Sequence, residues 1–255
     1  MPSSRLTHVG VPILEARLVQ VTATLRHGVS VPTRWPAPLD GILASAERRA
    51  RLGALHGSIV DHHISDVPLT IWHRGVGGRW VWSATAAQIS DVATEDVRWW
   101  HKRFDSAAAE RMVDRLPANT DAGPTKGWRM PRVVTVVGQV SWWALGDPER
   151  LEQLLSTVDQ IGDGRAAGEG VVTRWNVTDH GDARSGRDRI IADDTGRPAR
   201  PWPAKAAEPL GFGTCDTIRH NCRPPYWRAP QTTVDGQFAR VMPEVIAPWA
   251  TRCAA

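Results

Sequence analysis

The chain has 255 residues, 42% hydrophobic and 23% charged, with a net charge of +4 at neutral pH and an isoelectric point near 9.4. This is enough for one large domain or two small ones with a real core, and it excludes disordered and fibrous classes. No apolar run is long enough for a membrane-spanning helix, and three cysteines, Cys215, Cys222 and Cys253, are too few for a disulfide framework. The N-terminal stretch "MPSSRLTHVGVPILEARLVQV" has no continuous apolar segment followed by a small-residue cleavage site, so no signal peptide and a reduced, cytoplasmic setting are expected. The mild basicity permits a polyanionic partner without demanding one.

In chain order, residues 17–29 alternate, with Val21, Ala23 and Leu25 on one face, which predicts a strand. "PTRWPAP", 32–38, has three prolines and predicts a rigid extended loop. Residues 39–52, "LDGILASAERRARL", predict a helix: Asp40 serves as cap, and Leu39, Leu43, Ala46 and Ala50 recur at helical spacing. Arg48, Arg49 and Arg51 make its opposite face basic. "VPLTIWHRGVGGRWVWSAT", 67–85, predicts two short strands around "GVGG". Residues 105–116 predict a helix capped by Asp105, and 117–131 a loop. Residues 132–145, "RVVTVVGQVSWWAL", predict one central strand.

Residues 147–161 predict a helix with Asp147 at the cap, Pro148 at the first turn and Glu149 near the positive dipole end. Leu151, Leu154, Leu155, Val158 and Ile161 form its buried stripe. Residues 171–179 predict a strand, and the Pro-, Gly- and Arg-rich tail, 180–255, an irregular extension. This order gives an α+β class with a ferredoxin-like or RRM-like sheet covered by helices on one face. The division that follows is a core over 1–179, an insertion at about 57–130, and a C-terminal extension over 180–255 packed on the core.

The loop between the last helix and the last strand is "IGDGRAAGEG", 161–170, with Gly162, Gly164, Gly168 and Gly170 around Arg165. It is no P-loop, because no Gly-Lys-Ser/Thr follows. It is no dinucleotide fingerprint either, because the spacing is off by one and the helix precedes the loop. At a helix C-terminus the dipole repels anions, so a phosphate here would rest on backbone N–H groups and Arg165. The alternative is that Gly162 caps the helix and the rest is a surface turn. Four glycines exceed what a cap needs, and they let a backbone lie close against an extended ligand.

Thirteen tryptophans stand against one tyrosine and three phenylalanines, and of the 31 basic residues only Lys102, Lys126 and Lys205 are lysines. Tryptophans neighbour cations in "TRW" at 33–35, "IWHR" at 71–74, "GRWVW" at 78–82, "RWWHKR" at 98–103, "KGWR" at 126–129 and "TRW" at 173–175. Rings that stack on bases beside cations that hold phosphates are the dress of single-stranded nucleic-acid binding. A tryptophan taken singly is more often core, and an arginine excess also follows from a GC-rich genome. "RWWHKR" is dense enough in charge to predict surface contact through Trp99, Trp100, Lys102 and Arg103.

Catalytic and metal chemistry find little. His27 at the end of the first strand and His62 beside His63 are histidines able to move a proton near neutral pH, with no second group at a forced distance. Cys215, His220 and Cys222 lack the paired spacing of zinc sites, and Asp61, His62 and His63 are sequence neighbours that seldom converge. No metal and no cofactor are expected.

A glycine loop of form G-x-G-R-x-x-G-x-G between last helix and last strand resembles the RAMP superfamily of CRISPR-associated proteins. "APLDGILASAERRARLG" is similar to the first helix of the Cas-five-like subunit of type IV CRISPR effector complexes. "DDTGRPARPWPA" at 193–204 and "RPPYWRAP" at 223–230 resemble that subunit's C-terminal signatures, and "WVWSATAAQIS" at 80–90 and "HKRFDS" at 101–106 its inserted thumb. The resemblance implies a non-catalytic subunit that binds the 5′ handle of the guide RNA and caps a filament of backbone subunits. It places Gly162, Gly164, Arg165, Gly168 and Gly170 on the RNA, with Arg34 and the basic part of "RWWHKR" as further contacts. Its implied partners are the guide RNA and the backbone and small subunits, with target nucleic acid met indirectly through guide pairing. Some RAMP relatives cleave RNA without metal, which leaves a guide-processing endoribonuclease using His27 or His62 as an alternative. A protein-interaction subunit without RNA contact is the third reading.

Overall fold

The computed structural model describes residues 6–7, 16–29, 38–52, 67–73, 80–89, 92–102, 111, 127–162, 164–182, 187–192, 198–203, 210, 212, 216–219, 222–224 and 238–241. The expected Pro-rich loop up to residue 37, most of the expected helix over 105–116, and the residues Arg34, His62, His63, Arg103, Cys215 and His220 lie outside the described residues.

The central sheet is antiparallel and has four strands: β2 (Arg17–Leu25), β5 (Gln88–Ile89), β8 (Gln139–Gly146) and β9 (Val172–Asp182), in the order β5-β8-β2-β9. The alternation in β2 sets its two faces. Val19, Val21, Ala23 and Leu25 are buried, whereas Gln20, Thr22 and Thr24 are half-buried on the other side. In register with β2, Val21 faces Trp142 on β8 and Val177 on β9.

Two helices cover the apolar face. In α1 (Leu39–Leu52) the expected bounds hold, and Leu39, Leu43 and Ala46 are fully buried. In α2 (Pro148–Leu155) the cap is as expected: Asp147 Oδ1 accepts from the Glu149 and Arg150 amides at 3.0 and 3.2 Å. Leu151 and Leu155 join the α1 leucines, Trp142 and Ala144 in one core. Each fully buried leucine contributes about 2 kcal/mol. The helix ends at Leu155, capped by Ser156, six residues short of the expected end. Val158 and Ile161 still enter the core, but from a turn: the Trp175 indole donates to the Val158 carbonyl at 2.7 Å.

The apolar run expected as one strand is two. Its first part belongs to β7 (Trp128–Val136), which pairs along its length with β6 (Thr94–Lys102) in a separate two-stranded ribbon. Its second part is β8. The chain bends at Val137–Gly138, where the Gly138 carbonyl accepts from the Leu25 amide at 2.9 Å and a glycine bends freely. β7 also begins inside the expected loop 117–131, so Trp128–Pro131 are strand.

The short strands β1 (Leu6–Thr7), β3 (Ile71–His73) and β4 (Trp80–Trp82) form a second sheet, in which β3 and β4 pair antiparallel on either side of "GVGG" as expected. The tail is less irregular than its composition suggests. It holds α3 (Arg187–Ile191) and a sheet of β10 (Trp202–Pro203), β11 (Asp216–Arg219) and β12 (Phe238–Val241). Ile190 of α3 packs with Leu18, Trp143 and Leu145 on the sheet face opposite α1 and α2.

One buried arginine ties the tail to the core. Arg200 donates to the carbonyls of Trp82, Ala84 and Cys222 and pairs with Asp40 Oδ2 at 3.1 Å, both side chains fully buried. Asp40 sits inside the first turn of α1 rather than ahead of it: its Oδ2 is the buried counter-ion of Arg200, and its Oδ1 accepts from the Gly41 amide at 3.1 Å, a donor it shares with the Pro38 carbonyl.

Candidate nucleic-acid interface

The glycine loop is a closed knot. Its neck is fixed by the Ile161 amide donating to the Gly170 carbonyl at 2.9 Å and the Val172 amide to the Asp159 carbonyl at 2.8 Å. Inside, Arg165–Ala167 make one 3-10 turn, closed by the Ala167, Gly168 and Glu169 amides, which donate to Gly164 or Arg165 carbonyls. Arg165 through Gly168 are exposed at the tip. Six residues separate the end of α2 from Gly162, so Gly162 is not its cap and the loop does not sit on the helix dipole.

Two of the glycines are forced by close approach. A Cβ on Gly170 would lie 1.9 Å from the Ile161 carbonyl oxygen, and one on Gly164 would lie 1.7 Å from Glu169 Oε2. Glu169 folds back into the loop and is almost wholly buried, a polar residue the sequence reading did not select.

A further glycine joins the loop to the ribbon. Gly28, just past β2, accepts at its carbonyl from the Gly170 amide at 3.0 Å. Its neighbour Val29 exchanges both backbone hydrogen bonds with Thr135 of β7, at 2.8 and 3.0 Å. A Cβ on Gly28 would meet Thr135 O and Val134 Cγ1 at 2.7 Å each, so only glycine lets loop, strand end and ribbon pack this closely. The signal available in the sequence was a glycine directly after His27 at a strand end. Nothing local revealed that β7 would pass there.

The ribbon projects basic and aromatic residues. Arg98 is opposite Arg132, Trp99 opposite Pro131, Trp100 opposite Met130, His101 opposite Arg129 and Lys102 opposite Trp128. Val97, Trp99 and Met130 are half or more exposed. The Arg129 guanidinium lies 4.2 Å from the Trp99 ring centre, a cation–π stack that holds an indole in the open. At the ribbon's root Arg98 reaches back: its Nη1 is 3.8 Å from Glu169 Oε1 and its Nε is 3.4 Å from Asp96 Oδ2.

Gly162, Gly164, Arg165, Gly168 and Gly170 thus share one loop, and Trp99, Trp100 and Lys102 share β6, whose root touches that loop. His27 is exposed beside Gly28 at the same junction. Arg34, Arg103 and His62 lie outside the described residues. Among the described residues no three His, Cys, Asp or Glu side chains converge as metal ligands. Cys222 is buried against Arg200 instead, and burial pushes its thiol up to about 12. Among the described residues no helix is long and apolar enough to cross a membrane.

None of the curated proteins matches the chain significantly. A family model described as CRISPR type IV associated protein Csf3 matches residues 18–235, which takes in the sheet, both covering helices, the ribbon, the glycine loop and most of the tail. The chain therefore belongs to the Csf3 family of type IV CRISPR systems, a Cas5-like RAMP protein.

Proposed function

We propose that this effector subunit binds the 5′ handle of the guide RNA and caps one end of the backbone filament, without cutting RNA. The observation that carries this reading is the junction at Gly28, where the glycine loop and the root of the β6–β7 ribbon meet. Exposed Arg165 at the loop's tip offers a cation to phosphates. The ribbon offers Arg98, Arg129 and an indole, Trp99, presented at half exposure for a base to stack on.

The sheet order β5-β8-β2-β9, with a helix after β2 and another after β8, supports a ferredoxin-like arrangement with the ribbon as its inserted thumb. In this reading residues 1–179 form the core, about 57–130 the insertion, and 180–255 an extension packed on it. The guide RNA and the backbone and small subunits are its direct partners in the cytoplasm, and target sequence is read by guide pairing. A guide-processing activity is the second reading, favoured by the exposure of His27 beside Gly28.

The test is to co-express the full chain with the other subunits of its locus, purify the assembly, and sequence the ends of the RNA it carries. A uniform population with a common 5′ end is the expected result. No RNA, or only random fragments, would overturn handle binding. A 5′ end that disappears with His27→Ala while RNA remains bound would move the reading to the nuclease.

A further inference from the structure

Glu169 is out of place on a surface meant for a polyanion. Its side chain is 2% exposed, one carboxylate oxygen, Oε2, has no hydrogen-bond partner among the described residues, and the loop backbone is wrapped around it so tightly that Gly164 has no room for a Cβ. A buried carboxylate is strongly unfavourable unless a cation stands near it. The cation that does so is Arg98, on a different element and 71 positions away in the chain, with Nη1 3.8 Å from Oε1. That separation is an ion pair rather than a hydrogen bond.

Arg98 remains 44% exposed. An arginine carries five N–H donors, so one edge can face the carboxylate behind it while the other is open in front. Asp96, two residues away on the same strand, shares the guanidinium from the side at 3.4 Å. We propose that Glu169 is a positioning residue: its buried carboxylate seats Arg98, and with it the root of the β6–β7 ribbon, against the glycine loop, so that Arg98 and Arg165 face the RNA as one preformed surface. The proposal rests on the RNA-binding reading of that surface. It gives Gly164 its reason as well, since the glycine makes space for the carboxylate.

A bystander and a positioning residue differ in sign. If Glu169 were only a negative charge near bound RNA, Glu169→Gln would relieve repulsion and tighten binding. If it seats Arg98, the same change loosens the ribbon root and weakens binding. The experiment uses the full chain as wild type, Glu169→Gln, Arg98→Gln and the double variant, with two readouts. The first is amide hydrogen exchange in the free protein. The second is affinity for a fluorescein-labelled, mixed-sequence single-stranded RNA.

Each single variant is expected to raise exchange over 94–98 and 132–136 at least roughly two- to fivefold, the size for an ion pair with one exposed partner, and the double variant to add nothing further. RNA affinity is expected to fall about fivefold in Glu169→Gln and to recover in Arg98→Lys relative to Arg98→Gln. In Glu169→Gln the melting temperature should stay near wild type, because Gln keeps the packing of Glu, whereas Arg98→Gln leaves the buried carboxylate without its cation and should melt lower. Exchange unchanged at the ribbon root, additive effects in the double variant, or tighter RNA binding in Glu169→Gln would each overturn the proposal. Should Glu169→Gln fail to fold, Arg98→Gln on its exposed strand carries the exchange test alone. Coupled exchange in a wild-type chain that binds no RNA would leave Glu169 as the seat of Arg98 and remove the RNA reading instead.

Discussion

Gly168 and Gly170 have similar backbone angles, φ of 78° and 66°, yet different surroundings. A side chain at Gly168 would point into open space, whereas one at Gly170 would lie 1.9 Å from the Ile161 carbonyl that closes the neck of the loop. Gly168→Ala therefore carries only the left-handed backbone penalty, about 1 kcal/mol. Gly170→Ala adds a collision with rigid backbone and is expected to cost about 3 kcal/mol or more. Urea unfolding of the two variants measures the difference, and equal losses would mean that the neck does not close as described. The same comparison separates the glycines that build the loop from one that leaves its tip open to a ligand. A cluster of four glycines in a sequence cannot make that distinction, because each clash is with an atom brought in by the fold.

At the scale of the element, local signals were legible and long-range ones were not. The start of α2 is written in three consecutive residues, Asp147, Pro148 and Glu149, and α1 in the spacing of Leu39, Leu43 and Ala46; both appear as the sequence predicts. The end of α2 is not local. Val158 and Ile161 continue the apolar stripe because the core needs them, but hydrogen bonds to Trp175 and Gly170 draw the chain out of the helix first. The run 132–145 failed as one strand for a similar reason. Both halves are β-forming, and only the pairing of one with β6 and of the other with β2 divides them at Gly138. β6 itself, "TEDVRWWHK", alternates too weakly to announce a strand, so its basic patch was visible while the ribbon that carries it was not. The candidate site was legible to the same degree: the loop residues and "RWWHKR" stood out, but Gly28, Arg98 as a link and the buried Glu169 needed the fold.

For the whole molecule, Arg200 is the closure. It holds the tail to the first turn of α1 through Asp40 and to the end of β4 through the Trp82 and Ala84 carbonyls, while the Cys222 carbonyl ties it to a later part of the tail. Arg200→Met would leave Asp40 buried without this cation and is expected to cost about 3–5 kcal/mol, more than an added Asp40→Leu would leave lost. The readout is Cys222, whose thiol burial raises from 9.0 to about 12. It should resist a thiol reagent at neutral pH in the wild type and react quickly in Arg200→Met; equal labelling would place the closure elsewhere. Because the folded thiol titrates higher than the unfolded one, its contribution to stability is complete below pH 9.0 and is lost as pH rises towards about 12. This closure steadies the α1 side of the core, while the loop and ribbon carry the proposed contact with RNA. The direct measurement of that contact is ultraviolet cross-linking of the purified assembly with its own RNA, followed by mass spectrometry of the RNA-bound peptides. Cross-links in 160–171 and in the ribbon strands, 94–102 and 128–136, are the expected result. RNA cross-linked only to other parts of this chain, or only to the neighbouring subunits, would contradict it.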